Sequence, residues 1–114
     1  MLSKKNRISD RHTIQGLWKN GKIYKTRHLV FRFLEKPPIF SEFAVAVSKK
    51  IFKNAVQRNH LRRQIMEGIR PHLDALEKQF WVVVIPRSDV KNAKPEELKL
   101  QINQFFNYLH NDAK

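Results

Sequence analysis

The segment KKIFKNAVQRNHLRR, residues 49–63, concentrates the residue types that bind phosphate. It contains six Lys and Arg and one His, and it contains no acidic residue. The guanidinium of arginine is planar and can bind a phosphate through two parallel hydrogen bonds, whereas the ammonium of lysine acts as a point charge. This composition favours the binding of a polyanion over the turnover of a small substrate.

Helical spacing places these charges on one face. Two neighbouring rows form a polar stripe, with Arg58, Arg62 and Met66 in one row and Asn59, Arg63 and Arg70 in the other. Solvated helix faces usually mix charges of both signs, but this stripe meets no acidic residue before Glu67. Like charges four residues apart repel, so the concentration of arginine indicates a phosphate-binding face. Both DNA and RNA remain compatible with it.

Elsewhere the sequence offers little catalytic machinery. The chain has no cysteine, and its five histidines show no i,i+4 pairing, so neither a thiolate zinc site nor a cysteine nucleophile is expected. Acidic residues are scarce in the basic half, which disfavours a two-metal nuclease site built from carboxylates. There is also no glycine-rich phosphate loop. A stand-alone nuclease is therefore the weakest hypothesis.

The charge distribution points to the same kind of partner. The net charge is +13, and residues 1–63 hold sixteen Lys and Arg against three acids, whereas residues 64–114 hold seven of each. A polarised positive surface favours nucleic acid, and we find no strongly amphipathic helix that would favour a membrane. A length of 114 residues predicts a single RNA-binding domain over 1–114. The absence of cysteine and of a long apolar run predicts a cytoplasmic protein.

The elements that must position the basic segment are predicted from periodicity and capping residues. In chain order they are a helix from a cap at Ser9 or Asp10 to about Asn20, a short strand near 23–25, strands over 28–35 and 43–48, a helix over about 54–69, one or two helical turns in 72–79, a strand over 80–85 and a helix from Pro95. The continuous apolar run FWVVVI predicts a central strand that is buried on both faces. This order predicts an α+β sandwich, one sheet with helices packed on it.

The order VSKK, a short spacer and NAV-x-RN-x-x-RR, in Val47 to Arg63, resembles the signature of the bacterial ribonuclease P protein subunit. NR at 6–7, NG at 20–21, R-x-x-V at 27–30 and VVVIPR at 82–87 also fall at family-like positions, so the resemblance covers roughly residues 5 to 110. It implies a small two-layer sandwich of one mixed four-stranded sheet with helices. It also implies a left-handed βαβ crossover like that of ribosomal protein S5 domain 2.

The resemblance further implies a function. The family assembles with a catalytic RNA into ribonuclease P, an endonuclease that removes the 5′ leader of precursor tRNA. The RNA supplies the active site and holds the Mg²⁺, so the protein, expected to be monomeric, needs no organic cofactor and is not catalytic alone. By residue-to-residue match, contacts to the catalytic RNA fall to Lys49, Lys50, Arg58, Asn59, Arg62 and Arg63. Lys53, which lies in a spacer that varies in length within the family, is expected to join them. Contacts to the precursor tRNA leader fall to Ile14, Trp18 and Arg32.

The sequence departs from the family pattern at four positions. His60 and Met66 stand where basic residues are usual, with Arg70 one turn beyond Met66. Ile14 and Arg32 stand where aromatic residues are common, which leaves Trp18 as the main candidate for stacking a base. Trp18 lies at i+4 from Ile14, a spacing that is also typical of a core residue. From the residues alone, a non-catalytic basic RNA-binding or ribosome-associated protein remains the alternative.

Overall fold

The computed structural model describes residues 6–8, 10–36 and 40–112. The helices and strands are α1 (Arg11–Asn20), β1 (Lys22–Lys25), β2 (Leu29–Lys36), β3 (Glu42–Val45), α2 (Ala55–Ile69), β4 (Gln79–Pro86) and α3 (Pro95–Asp112), with 3-10 helices at Arg70–Ala75 and Ser88–Asn92. Every predicted helix and strand is present in the predicted order. Among the described helices, none has the length and apolar character that crossing a bilayer would need.

The four strands form one mixed sheet in the order β1-β2-β4-β3. β4 runs antiparallel to β2 and parallel to β3, and α2 lies in the connection between the two parallel strands. The central position of β4 confirms the prediction from its apolar run, and its residues Val82, Val83 and Val84 are almost fully buried. The α+β fold class is confirmed.

The larger core lies between one face of the sheet and the pair α2 and α3. Phe31 of β2 stacks on Phe105 of α3 with ring centroids 4.2 Å apart. The apolar stripe of α3 is buried throughout, and it consists of Leu98, Ile102, Phe105 and Leu109. Fully burying each such side chain contributes about 1.5–3 kcal/mol, so this layer provides most of the apolar stabilisation.

The opposite face of the sheet is covered by α1. Leu17 of α1 packs with Val83 of β4 and with Ile8 in a smaller core cluster. Trp81, predicted to be a core residue, lies at the edge of this cluster and is only half-buried. Because α1 is short, it leaves part of this face open to a ligand.

Local capping explains where the helices begin and end. The Asp10 carboxylate accepts hydrogen bonds from Thr13 Oγ1 (2.9 Å) and from the His12 amide (3.1 Å), and these bonds hold the pKa of Asp10 below its ordinary value. The Gly21 amide donates to the Leu17 carbonyl at 3.0 Å, and a Cβ on Gly21 would collide with that oxygen. The cap at Asp10 and the helix end at Gly21 are thus confirmed, while the alternative cap Ser9 lies outside the described residues.

The structure differs from the prediction at the end of β3 and in one additional 3-10 helix. β3 ends at Val45 rather than at Ser48, although the Ala46 amide still donates to the Val84 carbonyl at 2.9 Å. Beyond that bond the chain turns toward α2, and the Ile51 amide donates to the Ser48 carbonyl at 3.1 Å. The 3-10 helix at Ser88–Asn92 was not predicted, because its short polar sequence carries no helical periodicity.

Candidate nucleic-acid interface

The start of α2 is held by its own first arginine. Asn54 caps the helix, accepting a hydrogen bond from the Val56 amide at 2.7 Å. The Arg58 guanidinium then folds back and donates to the carbonyls of Phe52 and Lys53, both at 2.8 Å. Arg58 is half-buried as a result, and it fixes the loop that carries Lys53. Within the protein, Arg58 therefore shapes the loop that precedes the helix. Its contact with RNA stays a prediction.

The next turn of α2 presents a prearranged guanidinium. Arg62 donates to the Asn59 side-chain oxygen at 2.7 Å, so the asparagine orients the arginine. Both residues line a pocket of about 310 Å³ together with Arg63, Met66 and Arg7. A hydrogen bond of this kind restricts the rotamers of a long side chain, which reduces the entropy lost when a ligand binds.

Met66 does not belong to the exposed stripe in which its spacing placed it. It is 8% exposed and packs into the larger core, so that it forms the apolar floor of this pocket. The helical period alone assigned Met66 to the polar face, whereas packing against the sheet assigns it to the core. Met66 interrupts the basic stripe because it belongs to the core, and it lines the pocket together with Arg62 and Arg63.

Arg7 is a residue of this site that the helix pattern could not reveal. The segment Asn6–Ile8 runs along the outer edge of β3, where Arg7 forms a parallel bridge with Phe43 and the Ile8 amide donates to the Phe43 carbonyl at 2.9 Å. The Asn6 side chain also donates to the Ser41 carbonyl at 2.8 Å. These contacts bring Arg7 to α2 across more than fifty residues of sequence. The only advance signal was the family-like NR at 6–7.

We call Arg7, Asn59, Arg62 and Arg63 the α2 basic cluster. Within the described residues, no acidic side chain forms an ion pair with any of its three arginines. Arg70 differs, because its guanidinium lies 3.6 Å from the Glu67 carboxylate. Lys49, Lys50 and Lys53 are exposed on the approach to the helix. Such a concentration of positive charge without acidic ion-pair partners attracts a polyanion.

A second surface surrounds Trp18 at the end of α1. The Trp18 side chain is 46% exposed, so it is not a core residue. The guanidinium carbon of Arg32 lies 4.7 Å from the centroid of the Trp18 ring, and an Arg32 nitrogen donates to the Trp18 carbonyl at 2.7 Å. A cation over an indole face contributes about 0.5–1 kcal/mol at an exposed site. Arg32 thus holds the Trp18 ring in place.

The third predicted leader residue is less exposed than Trp18. Ile14, one turn before Trp18, is half-buried and packs against the smaller core cluster. The neighbour that the structure adds is Ile23 of β1, which is in register with Arg32 and is 48% exposed. We call Trp18, Arg32 and Ile23 the Trp18 surface. It offers an aromatic face, a cation and an apolar edge on adjoining elements.

The two surfaces are built from side chains that bind phosphate groups and bases. Across the described segments, no cluster of three or more His, Asp or Glu side chains is placed to hold a metal ion. The arginines can bind and orient phosphates, and the indole can stack on a base. These are the properties of a binding protein.

A small α+β domain with an arginine cluster around one helix that has no acidic ion-pair partner among the described residues, and with an exposed tryptophan on the other side of the sheet, is typical of a nucleic-acid-binding protein. The family model for ribonuclease P matches residues 2–110. The chain therefore belongs to the ribonuclease P protein family, whose members are the protein components of the ribonucleoprotein enzyme that processes the 5′ ends of tRNA.

Individual relatives agree with this assignment. The chain is 34% identical over 107 residues to the ribonuclease P protein component of Bacillus mycoides, covering 92% of this chain and 91% of that protein. It is 30% identical over 108 residues to the corresponding protein of Rippkaea orientalis, covering 90% and 85%. Among solved structures it is similar to the Staphylococcus aureus RNase P protein, at 27% identity with a TM-score of 0.72 and covering 96% of this chain and 95% of that one.

Proposed function

We propose that the α2 basic cluster docks this protein on the catalytic RNA of ribonuclease P, with Lys49, Lys50, Lys53 and Arg58 extending the contact. The observation that carries this proposal is the convergence of Arg7, Arg62 and Arg63 around one pocket with no acidic partner among the described residues. An arginine cluster that only stabilised the fold would be expected to pair with carboxylates, since like charges held together repel.

The proposed binding mode is recognition of RNA shape and backbone. Guanidinium groups can each donate two hydrogen bonds to a phosphate, and Asn59 keeps that of Arg62 in a fixed orientation. Structured RNA is recognised mainly through its phosphates, its 2′-hydroxyls and its shape. Binding of this kind releases counterions, so its affinity falls steeply as salt rises.

The Trp18 surface is the proposed site for the single-stranded leader of precursor tRNA. One face of the indole is covered by Arg32, and the exposed part of the ring is available to stack on a base. Stacking of a base on an aromatic side chain contributes about 1–3 kcal/mol and tolerates any sequence. Arg32 then acts chiefly by positioning Trp18, with Ile14 supporting the same helix from the core.

The protein contributes binding, and the RNA is proposed to hold the Mg²⁺ that the reaction needs. We further propose that the protein is monomeric before it assembles with the RNA and acts in the cytoplasm, where precursor tRNA is made.

The direct test is cleavage of a 5′-extended precursor tRNA by a bacterial ribonuclease P RNA at low magnesium, with and without this protein. Cleavage at the mature 5′ end should require both components. Lys99→Ala is the matched control for the cluster variants, because it removes one exposed positive charge from α3. Binding to the RNA without stimulated cleavage at any magnesium concentration would contradict the proposal.

The leader site is tested by varying the leader. Trp18→Ala should weaken binding of a precursor with a long leader by about 5- to 150-fold, the loss of one stacking interaction. It should leave binding of a precursor with a one-nucleotide leader unchanged. Arg32→Ala should act in the same direction but less strongly, since it frees the ring without removing it. Equal losses on both substrates would place Trp18 outside the leader site.

A further inference from the structure

A second pocket flanks α2 on the side away from the basic cluster. It has a volume of about 370 Å³ and lies between α2 and the segment that leads into α3. Its walls are apolar, formed chiefly by Phe52, Val56, Leu61 and Leu98. Val56 is 74% exposed at the mouth of the pocket. Pockets of about 300–1,000 Å³ with apolar walls are typical of small-ligand sites.

The pocket also has a polar edge suited to a planar, hydrogen-bonding group. Gln57 and Gln64 line it from one row of α2, seven residues apart, with His60 between them. No other described residue engages either glutamine amide in a hydrogen bond. Each amide offers both donors and an acceptor, the combination that matches the edge of a nucleobase.

The charges around the pocket are mainly positive. Lys91 lines it, and its ammonium lies 5.7 Å from the centroid of the Phe52 ring. Lys53 and Lys94 are exposed beside the lining residues Phe52 and Ala93. The nearby carboxylate of Glu97 accepts a hydrogen bond from the Lys94 amide at 3.0 Å, which lowers the pKa of Glu97. An acidic peptide or a nucleotide would match this charge, but only a nucleotide also matches the flat apolar interior.

The geometry of α2 connects this pocket to the basic cluster. Gln57 and Asn59 are two residues apart, so their rows lie about 160° apart around the helix axis. The exposed helix face between these two rows carries His60 and Arg63. A polynucleotide that lies across this face, with its phosphates bound to the α2 basic cluster, can place a base in the apolar pocket on the opposite side of the helix.

We infer that the pocket between α2 and the start of α3 binds one unpaired nucleobase of the partner RNA. The apolar walls enclose the ring, the two glutamine amides meet its hydrogen-bonding edge, and Lys91 meets the adjoining phosphate. This inference rests on the proposed docking of α2 on RNA, and it adds a base contact, made by the apolar walls and the two glutamine amides, that carries no charge.

The test uses Val56→Asn, with Leu100→Asn as the matched control. Leu100 is 61% exposed on α3 and does not line the pocket. Each variant therefore replaces an exposed aliphatic side chain by asparagine without changing the net charge. With a bacterial ribonuclease P RNA, Val56→Asn should raise Kd about tenfold, which corresponds to about 1.4 kcal/mol. The slope of log affinity against log salt should stay unchanged, because no phosphate contact is lost.

A photoreactive benzoylphenylalanine in place of Gln64 supplies a second readout, and it should crosslink to a single-stranded nucleotide of the bound RNA. The inference is overturned if Val56→Asn and Leu100→Asn bind equally while Arg62→Ala is impaired. It is also overturned if the crosslink falls only in duplex RNA. A wild-type protein that binds no ribonuclease P RNA would overturn the proposed function, and this inference with it.

Discussion

Replacement of Arg62 by alanine tests the role of the α2 basic cluster with little disturbance of the fold. The Arg62 guanidinium makes one hydrogen bond within the protein, to Asn59 at 2.7 Å, and that bond is exposed to solvent. Its loss should change the free energy of unfolding by no more than about 0.5 kcal/mol, as is usual for surface substitutions. Thermal or urea unfolding measures this directly.

The effect on RNA binding should be much larger. A hydrogen bond to a charged group contributes about 1.5–3 kcal/mol, so the loss of one arginine–phosphate contact should raise Kd about 10- to 150-fold. One fewer phosphate contact also makes the log–log salt slope less steep by about 0.7–0.9. The assay is a titration of labelled RNA at several salt concentrations.

Two further variants, Arg62→Lys and Asn59→Ala, separate the charge of Arg62 from the geometry of its guanidinium. Arg62→Lys keeps the charge but loses the planar fork, so the salt slope should be retained while affinity falls. Asn59→Ala keeps the arginine but frees its rotamers, and it should cost about 0.5–1.5 kcal/mol of binding free energy, again without a change in slope. Lys99→Ala, on α3, should bind nearly as wild type.

Two results would refute this reasoning. If Arg62→Ala lowers stability by several kcal/mol while binding per folded molecule is unchanged, the residue is structural. If Arg62→Ala and Lys99→Ala reduce affinity equally, the protein attracts RNA through its overall charge, and the cluster has no special part.

Three predictions concern the fold. Gln101→Leu should lower the free energy of unfolding by about 1–3 kcal/mol in urea titrations, because the buried His28 amide loses the side-chain oxygen that it meets at 2.8 Å. Gly68→Ala should destabilise by about 1 kcal/mol, since its Cβ would lie 2.7 Å from Cδ1 of the buried Ile102, and the added change Ile102→Val should relieve that crowding. The pKa of Asp10 is lowered in the folded state, so the stability that this carboxylate contributes is present above its ordinary value of 3.8 and is lost as pH falls through the lower folded pKa. The stability advantage of the wild type over Asp10→Asn should therefore shrink in urea titrations taken from pH 6 to pH 3. An advantage that stays constant over this range would contradict the assignment.

Local signals predicted most of the fold. The cap at Asp10, the start of α2 near residue 54 and the helix end at Gly21 depend on neighbouring residues, so a short stretch of sequence contains all the information. The strand order β1-β2-β4-β3 depends on contacts between distant segments and could not be obtained from periodicity. Resemblance to a family, rather than any residue pattern, supplied the mixed sheet and the hand of its crossover.

The same distinction applies to the candidate site. The exposure of Arg63 and the pairing of Arg62 with Asn59 follow from helical spacing. The burial of Met66 does not, because it depends on how α2 packs on the sheet. Arg7 was missed as a member of the cluster for a related reason, since a bridge to β3 brings it there.

The segment Asn6–Ile8 also closes one edge of the sheet. Through its bonds to Phe43 and Ser41 it occupies backbone groups of β3 that would otherwise be open to strands of other molecules. The same segment carries Arg7, so RNA that binds the cluster favours the closed edge by mass action. If the cluster docks on RNA as proposed, we expect the partner RNA to reduce edge-to-edge aggregation, and we expect protein made in excess of its RNA to be the population most exposed to it.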